Sequence, residues 1–135
     1  MDAAQALADL TEISSQIEAA ALFDGDGIQG STLADAGAAG SLVAAANALL
    51  EGAAGFRTGG GDVTQLEAST HQGSVFVVCD GPRRIVATTG SDPTAGLVFY
   101  DLKSCLRGAA AAPAKPKRRR RPPAASTTEE KTDEA

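Results

Sequence analysis

Tryptophan is absent from the 135 residues, tyrosine occurs once and phenylalanine four times, so aromatics make up only 4% of the chain. A core built mostly of large rings is therefore not expected. The interior must come mostly from Ala, Val, Leu and Ile, and an apolar fraction of 43% suffices for that. Cysteine is scarce too. Two residues, Cys79 and Cys105, imply no disulfide framework. Together with the one histidine, His71, they fall short of the four ligands that a structural zinc ion takes. No apolar stretch approaches the roughly 20 residues of a membrane span. The opening Met1-Asp2-Ala3-Ala4-Gln5 lacks the basic start and apolar run of a secretory signal. These absences lead us to expect a cytoplasmic protein of one domain.

What is present is unevenly charged. Up to Gly108 there are 13 acids and 5 bases, a net of −8, whereas the remaining residues hold 4 acids and 7 bases, a net of +3. An acidic body argues against nucleic-acid binding by the folded part. The change in character at Gly108 divides the chain into a domain, 1–108, and a tail, 109–135. The tail runs from Ala109-Ala110-Ala111-Ala112-Pro113 into the basic Lys115, Lys117, Arg118, Arg119, Arg120 and Arg121, then turns acidic. Nothing in it can bury a core, so it is expected to be disordered.

Periodicity organises the domain. Asp2 with Gln5 resembles a capping box, and Leu7, Leu10 and Ile13 at helical spacing carry a first helix to about Ser14. Gln16 to Phe23 alternates like a strand, with Ile17, Ala19, Ala21 and Phe23 assigned to one face. Asp24-Gly25-Asp26-Gly27 is a tight-turn signal, and Ile28 to Leu33 returns as a second strand. Leu42, Ala46, Leu49, Leu50 and Ala53 then share one face of a helix over about 40–54, closed by Gly52 and Gly55. A loop at Thr58-Gly59-Gly60-Gly61-Asp62 leads into a half-buried strand, 63–70. After His71-Gln72-Gly73, the stretch Ser74 to Cys79 is the most apolar strand and is expected at the centre of the sheet. Gly81-Pro82 turns the chain into Arg84 to Thr88. Ser91-Asp92-Pro93 supplies a cap with proline at the first helical position, and the last helix carries Val98, Leu102, Cys105 and Leu106 to Gly108. The order αββαβββα predicts an α/β (α+β) fold in which a five-stranded antiparallel sheet has helices on its faces.

Candidate chemistry is thin. Gly25-Asp26-Gly27-Ile28-Gln29-Gly30 matches G-x-G-x-x-G, but it leads into a strand rather than a helix, and Asp24 and Asp26 would repel a pyrophosphate. A calcium loop starting at Asp24 would put Ile28 and Gln29 where an oxygen ligand and a glycine are needed. A Cys79–His71 nucleophile pair would need a turn residue to reach a strand interior. Cys79 and Cys105 read better as small buried hydrophobes. No catalytic residue, cofactor site or metal site is assigned, and the chain is expected not to be an enzyme.

Four stretches carry a resemblance. They are Leu10-Thr11-Glu12-Ile13 before the first strand, Ala20-Ala21-Leu22-Phe23-Asp24-Gly25-Asp26-Gly27 in the hairpin, Ser74-Val75-Phe76-Val77-Val78, and Asp92-Pro93-Thr94-Ala95-Gly96-Leu97 at the last helix. In order and spacing, residues 3–107 resemble the roadblock / dynein light chain family, which includes bacterial partners of small Ras-like GTPases. The tail has no counterpart there. The resemblance implies a profilin-like sheet with two helices on one face and one on the other. It also implies a homodimer, or a heterodimer with a second roadblock-type chain, that regulates a small GTPase or serves a motor complex without catalysis. Dimerisation in the family uses the second helix and third strand, which here nominates Leu42, Ala46, Leu49, Ala53, Thr64, Leu66 and Ala68. The residues speak to the same surface. Ala38, Ala39, Ala44, Ala45, Ala46, Ala48, Ala53 and Ala54 would let two helices approach closely, or merely reflect an Ala-rich composition. The third strand reads as an edge whose only charge is Glu67.

Two other classes stay open. A PAS-like small-molecule sensor also mixes five strands with few helices, although a shortage of aromatics fits it poorly. The basic arm could instead contact nucleic acid or an anionic membrane, or act only as a solvated tether.

Overall fold

Asp2 closes the first turn of helix α1 (Ala3–Ile13), its Oδ1 accepting the Gln5 backbone N–H at 2.8 Å. The reciprocal half of a capping box is missing, because the Gln5 side chain donates to Asp9 Oδ1 one turn on, at 2.9 Å. In this computed structural model, residues 2–56 and 62–110 are described. The glycine loop 58–61 and the tail beyond 110, with Lys115, Lys117 and Arg118 to Arg121, lie outside them.

Strands β1 (Ile17–Asp24) and β2 (Gly27–Ser31) form the expected hairpin. Asp24 holds the turn, its Oδ1 accepting the N–H groups of Asp26 at 2.8 Å and Gly27 at 3.2 Å. Gly27 sits at φ 136°, which only glycine adopts readily. The next helix, α2 (Ala36–Ala54), begins four residues before the expected position 40. Asp35 caps it by accepting from the Ala38 N–H at 3.0 Å. Its first turn holds no large apolar residue, so hydrophobic periodicity had nothing to register there.

The remaining strands are β3 (Gln65–Ser69), β4 (Ser74–Asp80) and β5 (Arg83–Thr89), with Gly81 at φ 63° in the last turn. Helix α3 (Ala95–Ala110) corrects the expectation at both ends. Pro93 is not its first residue. Asp92 takes a left-handed φ of 55°, and Thr94 starts the helix by accepting the Val98 N–H at 3.0 Å. The Thr94 N–H is tied to Gln16 Oε1 at 2.6 Å. At the other end α3 passes Gly108, and Ala109 is 3% exposed in the core.

All five strands pair antiparallel in the order β2-β1-β5-β4-β3. The most apolar strand, β4, is interior but not central; β5 holds the middle. Helices α1 and α3 cover one face, packing Leu7, Leu10, Leu102 and Leu106 on Leu22, Phe76, Val78 and Ile85. Helix α2 covers the other, over Ala21, Phe23, Val77 and Val86. Ile17 does not share the face of Ala21 and Phe23, because the β1–β5 register slips at Glu18 and reverses the alternation. Phe76 meets Phe99 edge-on, with ring centres 5.0 Å apart at 79°.

Candidate interaction surface

The surface is assembled from α2 and the sheet edge beside it. Ala46, at 0% exposure, packs into the sheet-side core with Val77 and Val86, where its small methyl group lets the helix settle. Leu42, Val43 and Leu50 pack around it. Ala39 is buried as well, and the opposite side of the helix looks outward. Ala44, Ala45, Ala48 and Ala54 are exposed, and Leu49 and Ala53 are half-buried. Just past the helix, Phe56 is 86% exposed.

Strand β3 pairs with β4 only, so its outer N–H and C=O groups form a free sheet edge among the described residues. Leu66 turns inward onto the α2-side core, and Ala68 is half-buried. Thr64 is exposed just before the strand, its carbonyl accepting the Cys79 N–H at 2.8 Å. Glu67 faces outward and accepts from Ser69 Oγ at 3.0 Å. Between α2 and this edge runs a cleft of about 590 Å3, walled by Ala45, Ala48, Leu49, Ala68, Val75 and Thr88.

The seven nominated interface residues thus divide. Leu49 and Ala68 both line the cleft, whereas Ala53, half-buried on α2, and Thr64, exposed before β3, do not. Ala46 is wholly internal, and Leu42 and Leu66 serve the chain's own core. Ala45, Ala48, Val75 and Phe56 were not nominated. Phe56 was legible as a large apolar residue stranded beyond Gly55. Ala45 and Ala48 stood among the eight alanines named on the second helix, and nothing in so alanine-rich a chain set them apart from the others.

The chemical candidates are placed apart. His71 is exposed in the β3–β4 turn, while Cys79 sits half-buried at the far end of β4. Burial pushes the Cys79 thiol up, partly opposed by Arg84. Cys105 lies against α1, its Sγ donating to the Ala6 carbonyl at 3.4 Å. Burial, helped by Asp9, pushes its thiol up to about 11. Both thiols therefore hold their protons at neutral pH and are poor nucleophiles. Asp24 is committed to the hairpin turn, accepting also from the Gln29 side-chain amide.

Comparison with known proteins agrees with this architecture. No protein-family model matches the chain, and no curated protein does. Solved structures do. A roadblock/LC7 domain from Streptomyces avermitilis superposes with a TM-score of 0.71 at 21% identity, covering 82% of this chain and 96% of that one. A second roadblock/LC7 structure from the same organism gives a TM-score of 0.60 at 19% identity, over 77% of this chain and 94% of the other. With two helices on one face, one on the other and a 2-1-5-4-3 antiparallel sheet, the chain has the roadblock/LC7 fold.

Proposed function

We propose that this chain is a non-catalytic scaffold or regulator that works as a dimer, with a small Ras-like GTPase or a related signalling or motility complex as its partner. One observation carries the reading. An open β3 edge lies beside a helix half of whose exposed residues are alanine, with an apolar cleft between them. An edge of this kind is a pairing template. A second copy, or a second roadblock-type chain, would extend the sheet through β3 and lay its own α2 beside this one. Leu49, Ala53, Thr64 and Ala68 would sit at that seam with Ala45 and Ala48. A cytoplasmic site of action belongs to the same reading. Among the described residues no helix is long and apolar enough to cross a membrane. The GTPase role rests on the family resemblance.

Light scattering after sizing is the test. The wild type should elute at twice the chain mass at tens of micromolar, and Leu49→Glu should shift it towards one. A clean wild-type monomer would sink the dimer. Calorimetry with Ras-like GTPases of the same genome, loaded with GDP or a non-hydrolysable GTP analogue, then asks for a nucleotide-dependent partner. No heat with any of them would remove the GTPase assignment.

A further inference from the structure

The opposite face of the domain has its own cleft, between α1 and α3. It measures about 320 Å3 and is lined by Asp9, Leu10, Ile13, Tyr100, Asp101 and Ser104, among others. Its rim is apolar and bare: Ile13 is 73% exposed and Tyr100 65%. Its wall holds an anomaly. Asp101 is only 7% exposed, yet no hydrogen bond or ion pair reaches it from any described residue. Its carboxylate oxygens still meet solvent through the mouth of the cleft, where a cation can pair with them. The helix does not supply one. Lys103 and Arg107, the two cations of α3, line a different cleft, towards β3 and β4.

We propose that this groove is the docking site of the chain's own basic segment, Lys115–Arg121, with Asp101 and Asp9 as its anionic contacts. The segment follows directly from α3, which forms one wall of the groove and ends at Ala110. Reach permits the return. Asp101 lies roughly 14 Å back along the helix from Ala110, and an extended run from Ala110 to Lys115 spans roughly 16 Å. Six of the seven residues from Lys115 to Arg121 are basic, against a domain of net charge −8. Pro116, Pro122 and Pro123 favour the extended form that fits a groove between helices. The aliphatic stems of Lys and Arg can cover Ile13, and a guanidinium can stack on the Tyr100 ring. Tethering keeps the segment at an effective concentration in the millimolar range, so weak contacts suffice. Nucleic acid is a poor alternative occupant, since the groove bears the same sign of charge.

Amide NMR of the full chain tests this. Wild type is compared with a chain carrying Arg118→Glu, Arg119→Glu, Arg120→Glu and Arg121→Glu. At low salt the amides of Asp9, Ile13, Asp101 and Ser104 should differ between the two, and the difference should vanish in 0.5 M salt, where the Debye length is only about 4 Å. The same difference should be lost when both chains also carry Asp9→Asn and Asp101→Asn. Labelled arm-reversed chains mixed with unlabelled wild type should keep their own spectrum. Shifts that move elsewhere on the domain, or nowhere, would overturn the proposal. So would restoration of the labelled spectrum in the mixture, which would put another copy's arm in the groove.

Discussion

At position 73 the backbone leaves no room for a side chain. A Cβ built on Gly73 would collide with the backbone carbonyl oxygen of Thr89, the last residue of β5. At Gly25, in the hairpin turn, a Cβ meets nothing within 4 Å. Urea unfolding should separate the two, with Gly73→Ala losing roughly 1–3 kcal/mol and Gly25→Ala staying within about 0.5 kcal/mol of wild type. Equal losses at both sites would show that the β3–β4 turn relaxes. Cys105 makes a pH prediction. Its folded thiol titrates near 11 against an ordinary value of 9.0. The unfolded chain therefore releases that proton first, and stability must fall as pH climbs from about 9 through 11. Thermal melts across that range should fall more steeply for wild type than for Cys105→Ala, and parallel curves would dispose of the effect.

Elements were legible where large side chains marked a period. The Leu7-Leu10-Ile13 stripe, the Val-rich β4 and the Asp-Gly hairpin all told their structure plainly. Helix α2 was found, but the facing of its residues was only half legible. Its apolar stripe was taken as a partner surface, whereas Ala46 and Leu42 point into the sheet. On a helix so rich in alanine, both sides look alike to a periodicity argument. The bulge at Glu18 was not legible either, because a register slip depends on the partner strand. The two α2 substitutions therefore part company. Ala46→Glu puts a charge in a dry interface at 0% exposure and should cost more than about 4 kcal/mol, read as a collapsed melting transition. Leu49→Glu should melt within a few degrees of wild type while the dimer weakens. Two variants that lose fold and assembly together would show that the chain has no stable monomer.

For the molecule as a whole, the sequence placed the end of the domain at Gly108, where composition changes, and the structure carries α3 to Ala110. A chain ending at Ala110 should keep the melting temperature of the full protein within a few degrees. One ending at Gly108 loses the buried Ala109 and should cost about 1 kcal/mol, or about 4–8 °C. A large loss already at Ala110 would mean that the basic segment is integral to the domain. Millimolar ATP, GTP or NAD should leave the melt unmoved, because Asp24 and Gly27 are engaged in the hairpin turn and no helix N-terminus follows those glycines. A rise of several degrees that disappears in an Asp26→Ala, Gly27→Val variant would reverse that view. If the arm also touches nucleic acid, six phosphate contacts would give a log–log salt slope of about −5, measurable by anisotropy.

The central place of β5 has a consequence for biosynthesis. This strand begins at Arg83, yet it joins β1, which ends at Asp24, to β4. Chains leave the ribosome at roughly 5–20 residues per second, so the β1–β2 hairpin waits several seconds for β5, and the β3–β4 hairpin roughly a second. In that interval β1 and β4 each present an apolar edge that the finished sheet conceals, the kind of edge that recruits strangers. Nascent chains stalled with residue 82 just outside the tunnel should be cut readily by protease. Chains long enough to release α3 should become resistant in one step. Protection already complete at the shorter length would mean that a hairpin folds by itself and that the last strand joins a finished structure.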